Sequence, residues 1–328
     1  MIGGRVEMSA ADFARYMNET EPRQKVKSSA VYVQDMIDDL GQFRTDPRSC
    51  LPWLKTHDKF HFRPGEVTLW AGVNGQGKSM LSGMTALSLC VQEQKVCLAS
   101  FEMKPNITLE RMLRQWSGQA APTAQEQQDP ETLRVFRDLY EQFRDFGEGR
   151  LWLYDQQGTV KTPMILAVLR YCALELGIQQ FFIDSLMKCV ENEDDYNAQK
   201  RFIDEVTAIA RDTGMHIHVI HHLKKLSDES KMPDKMDVKG SGSITDQVDN
   251  LLLIWRNKPK ERNEQEGKKT NDSDPDAMLI CEKQRNGEWE GRFSLWFDKP
   301  SQQYIPSPHS STLNLFNFPH GDGYGNVA

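Results

Sequence analysis

Residues 71–81, AGVNGQGKSML, place three glycines, a lysine and a serine between two apolar runs. Upstream, EVTLW (66–70) alternates and carries β-branched and aromatic side chains, the pattern of a buried strand. Downstream, SMLSGMTALSLCV has the apolar spacing of a helix. The turn therefore joins a strand to a helix N-terminus. Gly72, Gly77, Lys78 and Ser79 satisfy G-x-x-x-x-G-K-[ST], in which glycine's dihedral freedom lets backbone N–H groups converge on phosphate oxygens. Lys78 is expected to reach the β/γ-phosphates of ATP or another nucleoside triphosphate. Ser79 is expected to ligate Mg²⁺, and the helix macrodipole favours the anion. The expected phosphate-binding set is Gly72, Val73, Asn74, Gly75, Gln76, Gly77, Lys78, Ser79 and Met80.

From residue 66 onward strands and helices alternate. Strands are expected near 66–71, 95–102, 150–155, 179–185, 215–222, 250–256, 277–284 and 291–298, with helices filling most gaps up to 214. Such alternation predicts an α/β fold, a mostly parallel central sheet with helices on both faces. Asn286-Gly287 falls between the last two strands as a turn signal, so the sheet should end in an antiparallel C-terminal hairpin. Two long polar segments, 224–243 and 257–276, are expected to be loops. Residues 1–48 are polar with two helical patches, the second placing Val33, Met36, Ile37, Leu40 and Phe43 on one face. They form an N-terminal helical linker or oligomerisation segment. A motor domain is expected over 49–300, and 301–328, Ser/Asn/Gly-rich and without periodicity, as a flexible tail.

At 328 residues with 38% apolar side chains, the chain can build a real core. Its apolar runs fall far short of a membrane span, and MIGGRVEMSAADF lacks an apolar signal core, so a soluble cytoplasmic protein without a membrane partner is expected. Cys50, Cys90, Cys97, Cys172, Cys189 and Cys281 form no C-x-x-C pair and are expected to be reduced core residues. The net charge of −7 argues against coating nucleic acid over the whole surface but leaves room for a local basic site.

A phosphate-binding loop needs a second acidic residue for the Mg²⁺ shell, at the end of an apolar strand. QQFFIDSLM supplies Asp184. Glu102 ends the strand KVCLASFEM, where a carboxylate would face the γ-phosphate and orient water. In IHVIHHL, four histidines fall within seven residues, and His216, His218 and His222 share a strand face. A metal site there is conceivable, although no partner Cys or carboxylate has matching spacing.

The order of the phosphate loop, SFEM, FFIDSL, HVIHHLKK, DVKGSGSITDQVDNLLLIWRN and CEKQR resembles the superfamily 4, DnaB-like replicative helicases, with strong likeness to the helicase halves of phage primase-helicases and mitochondrial Twinkle. The resemblance spans roughly residues 50–300. It implies a RecA-like motor that assembles as a hexameric ring around single-stranded DNA at the replication fork and hydrolyses nucleotide between subunits. On this likeness Glu102 is the catalytic base and Asp184 the Mg²⁺-side carboxylate. His222 matches a γ-phosphate sensor. Arg285 matches an arginine finger given to the neighbouring subunit, with Lys283 beside it. Arg256 and Phe297 match positions that sandwich the base. Arg285 follows a strand expected at the far edge of the sheet from the phosphate loop.

Lys224, Lys225, Lys231, Lys235 and Lys239 lie in the segment that in this family projects into the central channel, where six copies would make a positive funnel. Lys239 with Gly240, next to a Gly-Ser-Gly that lets backbone N–H groups approach a phosphate, is the leading DNA contact. No primase is expected in fewer than 50 residues before the motor, so a separate primase and a DNA polymerase are the expected partners; if the chain is viral, the compartment is the bacterial host cytoplasm. Two alternatives share the core: a RecA/RadA-type recombinase and a nucleotide-gated helicase loader or scaffold.

Overall fold

A computed structural model describes residues 49–313 apart from 193, 194, 225–227, 229 and 241, together with residue 315 and a few helical positions between 28 and 37. The strands are β1 (Ser49–Cys50), β2 (His61–Phe62), β3 (Val67–Gly72), β4 (Val96–Ser100), β5 (Leu151–Leu153), β6 (Gln180–Asp184), β7 (His216–His222), β8 (Asn250–Arg256), β9 (Ala277–Gln284), β10 (Gly291–Asp298) and β11 (Gln303–Ile305). The α-helices are α1 (Lys78–Val91), α2 (Pro105–Ser117), α3 (Pro130–Gly147), α4 (Thr162–Leu174), α5 (Tyr196–Thr213), α6 (Gly242–Gln247) and α7 (Lys258–Gln265).

Strands β3 to β11 form one sheet in the order β11-β10-β9-β8-β3-β7-β6-β4-β5. The six from β8 to β5 run parallel, and β9, β10 and β11 are antiparallel. Every residue of β3 is buried, as a central parallel strand covered on both faces requires. Val67, Leu69 and Ala71 point into a core shared with Phe202, Ile203 and Val206 of α5. Trp70 points the other way, among Leu81, Met84, Met112, Trp116 and the aromatic side chains Trp53, Phe60 and Phe62. Residues 49–62 thus pack onto the central sheet, and Cys50 is clamped by the Gln92 amide at 2.8 and 3.0 Å. Helix starts follow local chemistry. Asp129 accepts from Thr132 N–H before α3, Asp195 accepts from Ala198 N–H before α5, and Pro occupies the first turn of α2, α3 and α4.

Three expectations need correction. The polar segment 257–276 is not all loop, because α7 forms within it. Its cap is Asn257, which accepts from Lys260 N–H at 3.1 Å, and Lys260 is anchored on Asp276 at 2.7 Å. In 224–243, a short 3₁₀ turn over Lys235–Asp237 is closed by reciprocal bonds between Asp234 and Asp237, and α6 begins at Gly242. Part of the segment expected as a flexible tail is structured: Gln303–Ile305 pairs with Trp296–Asp298 as the edge strand, and Tyr304, Ile305 and Leu315 are buried. The last two long strands are antiparallel as expected, joined through residues 285–290. Met36, Leu40 and Phe43 lie outside the described residues; Val33 and Ile37 are helical and 51% and 50% exposed.

Candidate nucleotide site

The phosphate loop leaves β3 at Gly72 and enters α1 at Lys78, with φ of 75° at Gly75 and 83° at Gly77. These left-handed conformations explain the glycines there. Lys78 is buried, and its ammonium donates to the carbonyls of Gly72 (2.8 Å) and Val73 (3.1 Å). Burial brings its pKa down to about 8, opposed by the carboxylates of Asp184 and Glu102. Ser79 donates its hydroxyl to Asp184, whose pKa is raised chiefly by burial and further by Glu102, while Ser79 and Lys78 hold it down. A hydroxyl and a carboxylate in contact, with a second carboxylate close by, are hard oxygen donors that suit Mg²⁺. Glu102 lies just beyond β4, exposed to solvent, and Phe101 N–H bonds Asp184 O at 2.9 Å, so the two acidic residues stand side by side at one sheet edge.

His222 sits on the same edge, paired across β7 and β3 with Gly72. Its Nδ1 is buried without a hydrogen-bond partner. Burial, then the charges of Lys78, Lys239 and Lys188, bring its pKa down to about 4, so the ring is neutral at physiological pH. The other three histidines serve the core. His216 donates from Nδ1 to Arg63 O at 2.7 Å and meets Thr68 Oγ1 at 2.9 Å. His218 accepts from Trp70 Nε1 at 3.2 Å, meets Gln180 Oε1 at 3.0 Å and stacks on Phe182 at 3.9 Å. His221 donates from Nε2 to Lys239 O at 2.6 Å. Among the described residues no group of His, Cys, Asp or Glu could hold a metal in the manner the clustered histidines suggested.

At this same end of the sheet Arg256 closes β8, with its guanidinium 5.9 Å from the Phe297 ring and bonded to Glu261 at 2.9 Å. Arg256, Phe297, Lys260, Asp276 and Tyr304 line a cavity of about 330 Å³, at the lower end of the range for small-molecule sites. Arg285 lies elsewhere. β9 is only two strands from β3, not at the far edge of the sheet, but Gln284 pairs with Asn250 at the opposite end of β8 from Arg256. Arg285 bonds Asp249 at 3.0 Å and the Asp246 carbonyl at 3.0 Å, and Lys283 bonds the carbonyls of Thr245 and Asp246. The length of β8 separates Arg285 from Arg256 by roughly 20 Å.

A model of the DnaB-like helicase C-terminal domain matches residues 58–305. The chain belongs to that family. Over 207 residues it is 26% identical to the DNA helicase/primase of Enterobacteria phage T3, a stretch that covers 60% of this chain and 36% of the phage protein, so the chain spans about a third of that relative's length. The fold is similar to a separately solved ATPase domain (TM-score 0.67, 16% identity, 88% of this chain and 99% of that one). It is similar also to a DnaB-like replicative helicase solved for its interactions with primase (TM-score 0.67, 15% identity, 85% and 67%).

In this DnaB-like domain the described ends of the lysine-bearing segment are tied together. Leu223 bridges Val238, Lys224 N–H bonds Asp237 O at 2.8 Å, and Lys239 N–H bonds His222 O at 3.0 Å. Lys224, Lys235 and Lys239 are thereby brought together, Lys224 and Lys235 exposed and Lys239 half-buried. Lys225 lies outside the described residues. Gly240, at φ 107°, is explained by packing: a Cβ there would come within 2.8 Å of Gln199 Oε1 and 2.9 Å of Ile244. Sequence reasoning missed Glu261, which holds Arg256, and Lys188, whose charge acts on His222. It missed Tyr304 as well, because a three-residue strand has too few positions to show alternation.

Proposed function

We propose that the chain is the motor of a ring-forming, ATP-dependent replicative DNA helicase that moves 5′ to 3′ on single-stranded DNA and separates duplex at the fork. The reading is carried by the division of the machinery: Lys78, Ser79, Asp184, Glu102 and neutral His222 share one end of the sheet, while Arg285 stands at the other end of β8. On this reading a finger that distant from its own phosphate loop serves a neighbouring subunit's nucleotide, so each site is completed by head-to-tail contact, as in a closed hexameric ring.

Lys78 neutralises phosphate charge, and its low pKa records an ammonium buried in readiness for an anion. Glu102, facing solvent beside Asp184, takes the proton of the attacking water. Mg²⁺ held by Ser79 and Asp184 would supply charge neutralisation at the β- and γ-oxygens. His222, uncharged and with a free ring nitrogen, reports the γ-phosphate to the lysine-bearing segment, whose Lys239 is bonded to both His221 and His222. Arg256 and Phe297 hold the base. Lys224, Lys225, Lys235, Lys239 and Gly240 meet the DNA backbone. The segment before residue 49 docks on the next subunit through the face that carries Val33 and Ile37. A primase and a polymerase are the chain's partners at the fork, and the reaction takes place in the cytoplasm, that of a bacterial host if the chain is viral.

Phosphate release measured with and without single-stranded DNA, beside strand separation of a labelled fork, tests the proposal; DNA-stimulated turnover together with unwinding is expected. Turnover with strand pairing and no unwinding would make the chain a recombinase, and nucleotide binding without turnover a loader-type scaffold.

A further inference from the structure

Tyr304 of β11 joins two parts of the candidate site. Its ring lines the 330 Å³ cavity beside Arg256 and lies 5.1 Å from the ring of Phe297. Its hydroxyl touches the phosphate loop, since a Cβ built on Gly77 would lie 2.2 Å from the oxygen. The residue is 3% exposed and held from several sides. Trp53 Nε1 donates to its carbonyl at 2.7 Å, its own N–H points at Met84 Sδ of α1 at 3.4 Å, and the Gln115 amide bridges the carbonyls of Met80 and Gln302, each at 2.9 Å. Among the described residues the hydroxyl makes no hydrogen bond, and it is not one of the fully buried polar atoms left without a partner, so it opens onto the space beside the loop. Burial also pushes the phenol pKa up to about 12, so it remains a donor at neutral pH.

A nucleotide laid from the cavity to the phosphate loop presents its ribose and α-phosphate between the two. We propose that Tyr304 contacts the bound nucleoside triphosphate, its hydroxyl donating to the α-phosphate and its ring walling the ribose side of the base cavity. A phenylalanine would fill the same volume, so packing alone does not account for a hydroxyl aimed at the loop. The inference rests on the nucleotide-site reading above, and a Lys78→Ala arm separates the two.

The experiment measures equilibrium affinity for a fluorescent ATP analogue, competition by ADP and by millimolar adenosine, steady-state kinetics and thermal melting on the full chain. Tyr304→Phe is expected to bind ATP and ADP about tenfold more weakly, as the loss of one hydrogen bond to a charged group implies. Adenosine competition and the melting temperature should stay at parent values, and KM should rise with kcat unchanged, because the contact is made equally in ground and transition states. Replacement by p-aminophenylalanine, which keeps a donor at that atom, should restore ATP affinity even if Tyr304→Phe lowers the melting point. Parent-like ATP affinity in Tyr304→Phe, equal loss for ATP and adenosine, or failure of the amino analogue to restore binding overturns the proposal. Lys78→Ala that still binds ATP like the parent overturns the nucleotide-site reading instead.

Discussion

At the end of the sheet that carries Gly72 and Asp184, buried groups are held away from their ordinary protonation. Lys78 is brought down to about 8, His222 to about 4, and Asp184 is raised, while His222 Nδ1 has no partner. At the opposite end the charged groups are paired, although Asn250 Oδ1 and Gln247 Oε1 are buried without a partner among the described residues. Asp249 accepts from Val67 N–H at 3.0 Å and pairs with Arg285 at 3.0 Å; Glu66 accepts from Asn250 at 2.9 Å and from Asn286 at 2.6 Å. Both ends belong to the same strands, so the fold alone does not dictate the contrast. One end is arranged around charge still to arrive, and perturbed protonation of this kind marks functional clusters. The other has its charges already paired in the isolated chain, so on the proposed trans role Arg285 would exchange Asp249 for a neighbour's phosphate.

The largest expected effect tests that exchange. Arg285→Ala is expected to bind ATP and to lose turnover by roughly 10³-fold, since an arginine finger acts mainly in the transition state. Glu102→Gln should likewise bind and not hydrolyse, whereas Lys78→Ala should do neither. In rings mixed from Arg285→Ala and Lys78→Ala chains at equal ratio, about a quarter of interfaces would pair an intact phosphate loop with an intact finger if assembly is random and head-to-tail. Some DNA-stimulated phosphate release should therefore return on mixing. Demonstrated subunit exchange without recovered turnover would break the comparison, because Arg285 would then be a structural partner of Asp249, and Lys283 or Arg292 the next candidates.

How far each end can be discerned in the sequence follows from the forces that build it. Lys78, Ser79, Glu102 and Asp184 are legible because each ends or follows an apolar strand, VTLWAG, VCLAS or QFFID, whose burial leaves only one place for a charge to emerge. The eight long and middle strands are legible for the same reason. Helix α7 is not, because KPKERNEQ contains no apolar periodicity; it is set by the Asn257 cap, the i,i+3 pair of Lys258 with Glu261 and the tertiary pair of Lys260 with Asp276. The Arg256–Glu261 pair and the approach of Tyr304 to Gly77 are tertiary contacts, invisible until α7 and β11 are placed. The histidine cluster shows the converse. Four titratable rings in one strand suggest chemistry, yet three of them are neutral hydrogen-bonding parts of the core.

A smaller effect comes from protonation at the first end. A lysine whose folded pKa, about 8, lies below its unfolded value near 10.5 destabilises the free protein below pH 8, and this cost fades as pH rises from 8 toward 10.5. Triphosphate binding requires the ammonium form, so the dependence of affinity runs the other way. ATP affinity should be flat from pH 6.5 to 7.5 and fall about fivefold between pH 8 and 9. His222 stays neutral throughout this window and contributes nothing to the fall. Titrations of fluorescent nucleotide against Lys78→Arg, which should bind more weakly but without the slope, check the assignment. An affinity unchanged at pH 9 would mean that Lys78 is no more perturbed than a surface lysine, and the contrast between the two ends would shrink.

The smallest expected effect concerns the lysine-bearing segment, which the proposed function places on DNA. Lys239 is the best placed of its cations. Its backbone is bonded to His221 and His222, so a phosphate gripped there is mechanically tied to the strand that flanks Gly72. Lys224, by contrast, turns its ammonium back to the Met236 carbonyl at 3.0 Å and gives up that bond on meeting DNA. Each lost phosphate contact should lower the log–log salt slope of single-stranded DNA binding by about 0.7. Over a fourfold rise in salt, that slope is worth about a 2.6-fold change in affinity. Lys239→Ala and Lys224→Ala should therefore each show a slope shallower by up to about 0.7. Fluorescence anisotropy of a labelled oligonucleotide at several salt concentrations measures both. Equal slopes in parent and Lys239→Ala would remove the segment from the DNA path and confine the first end of the sheet to nucleotide alone.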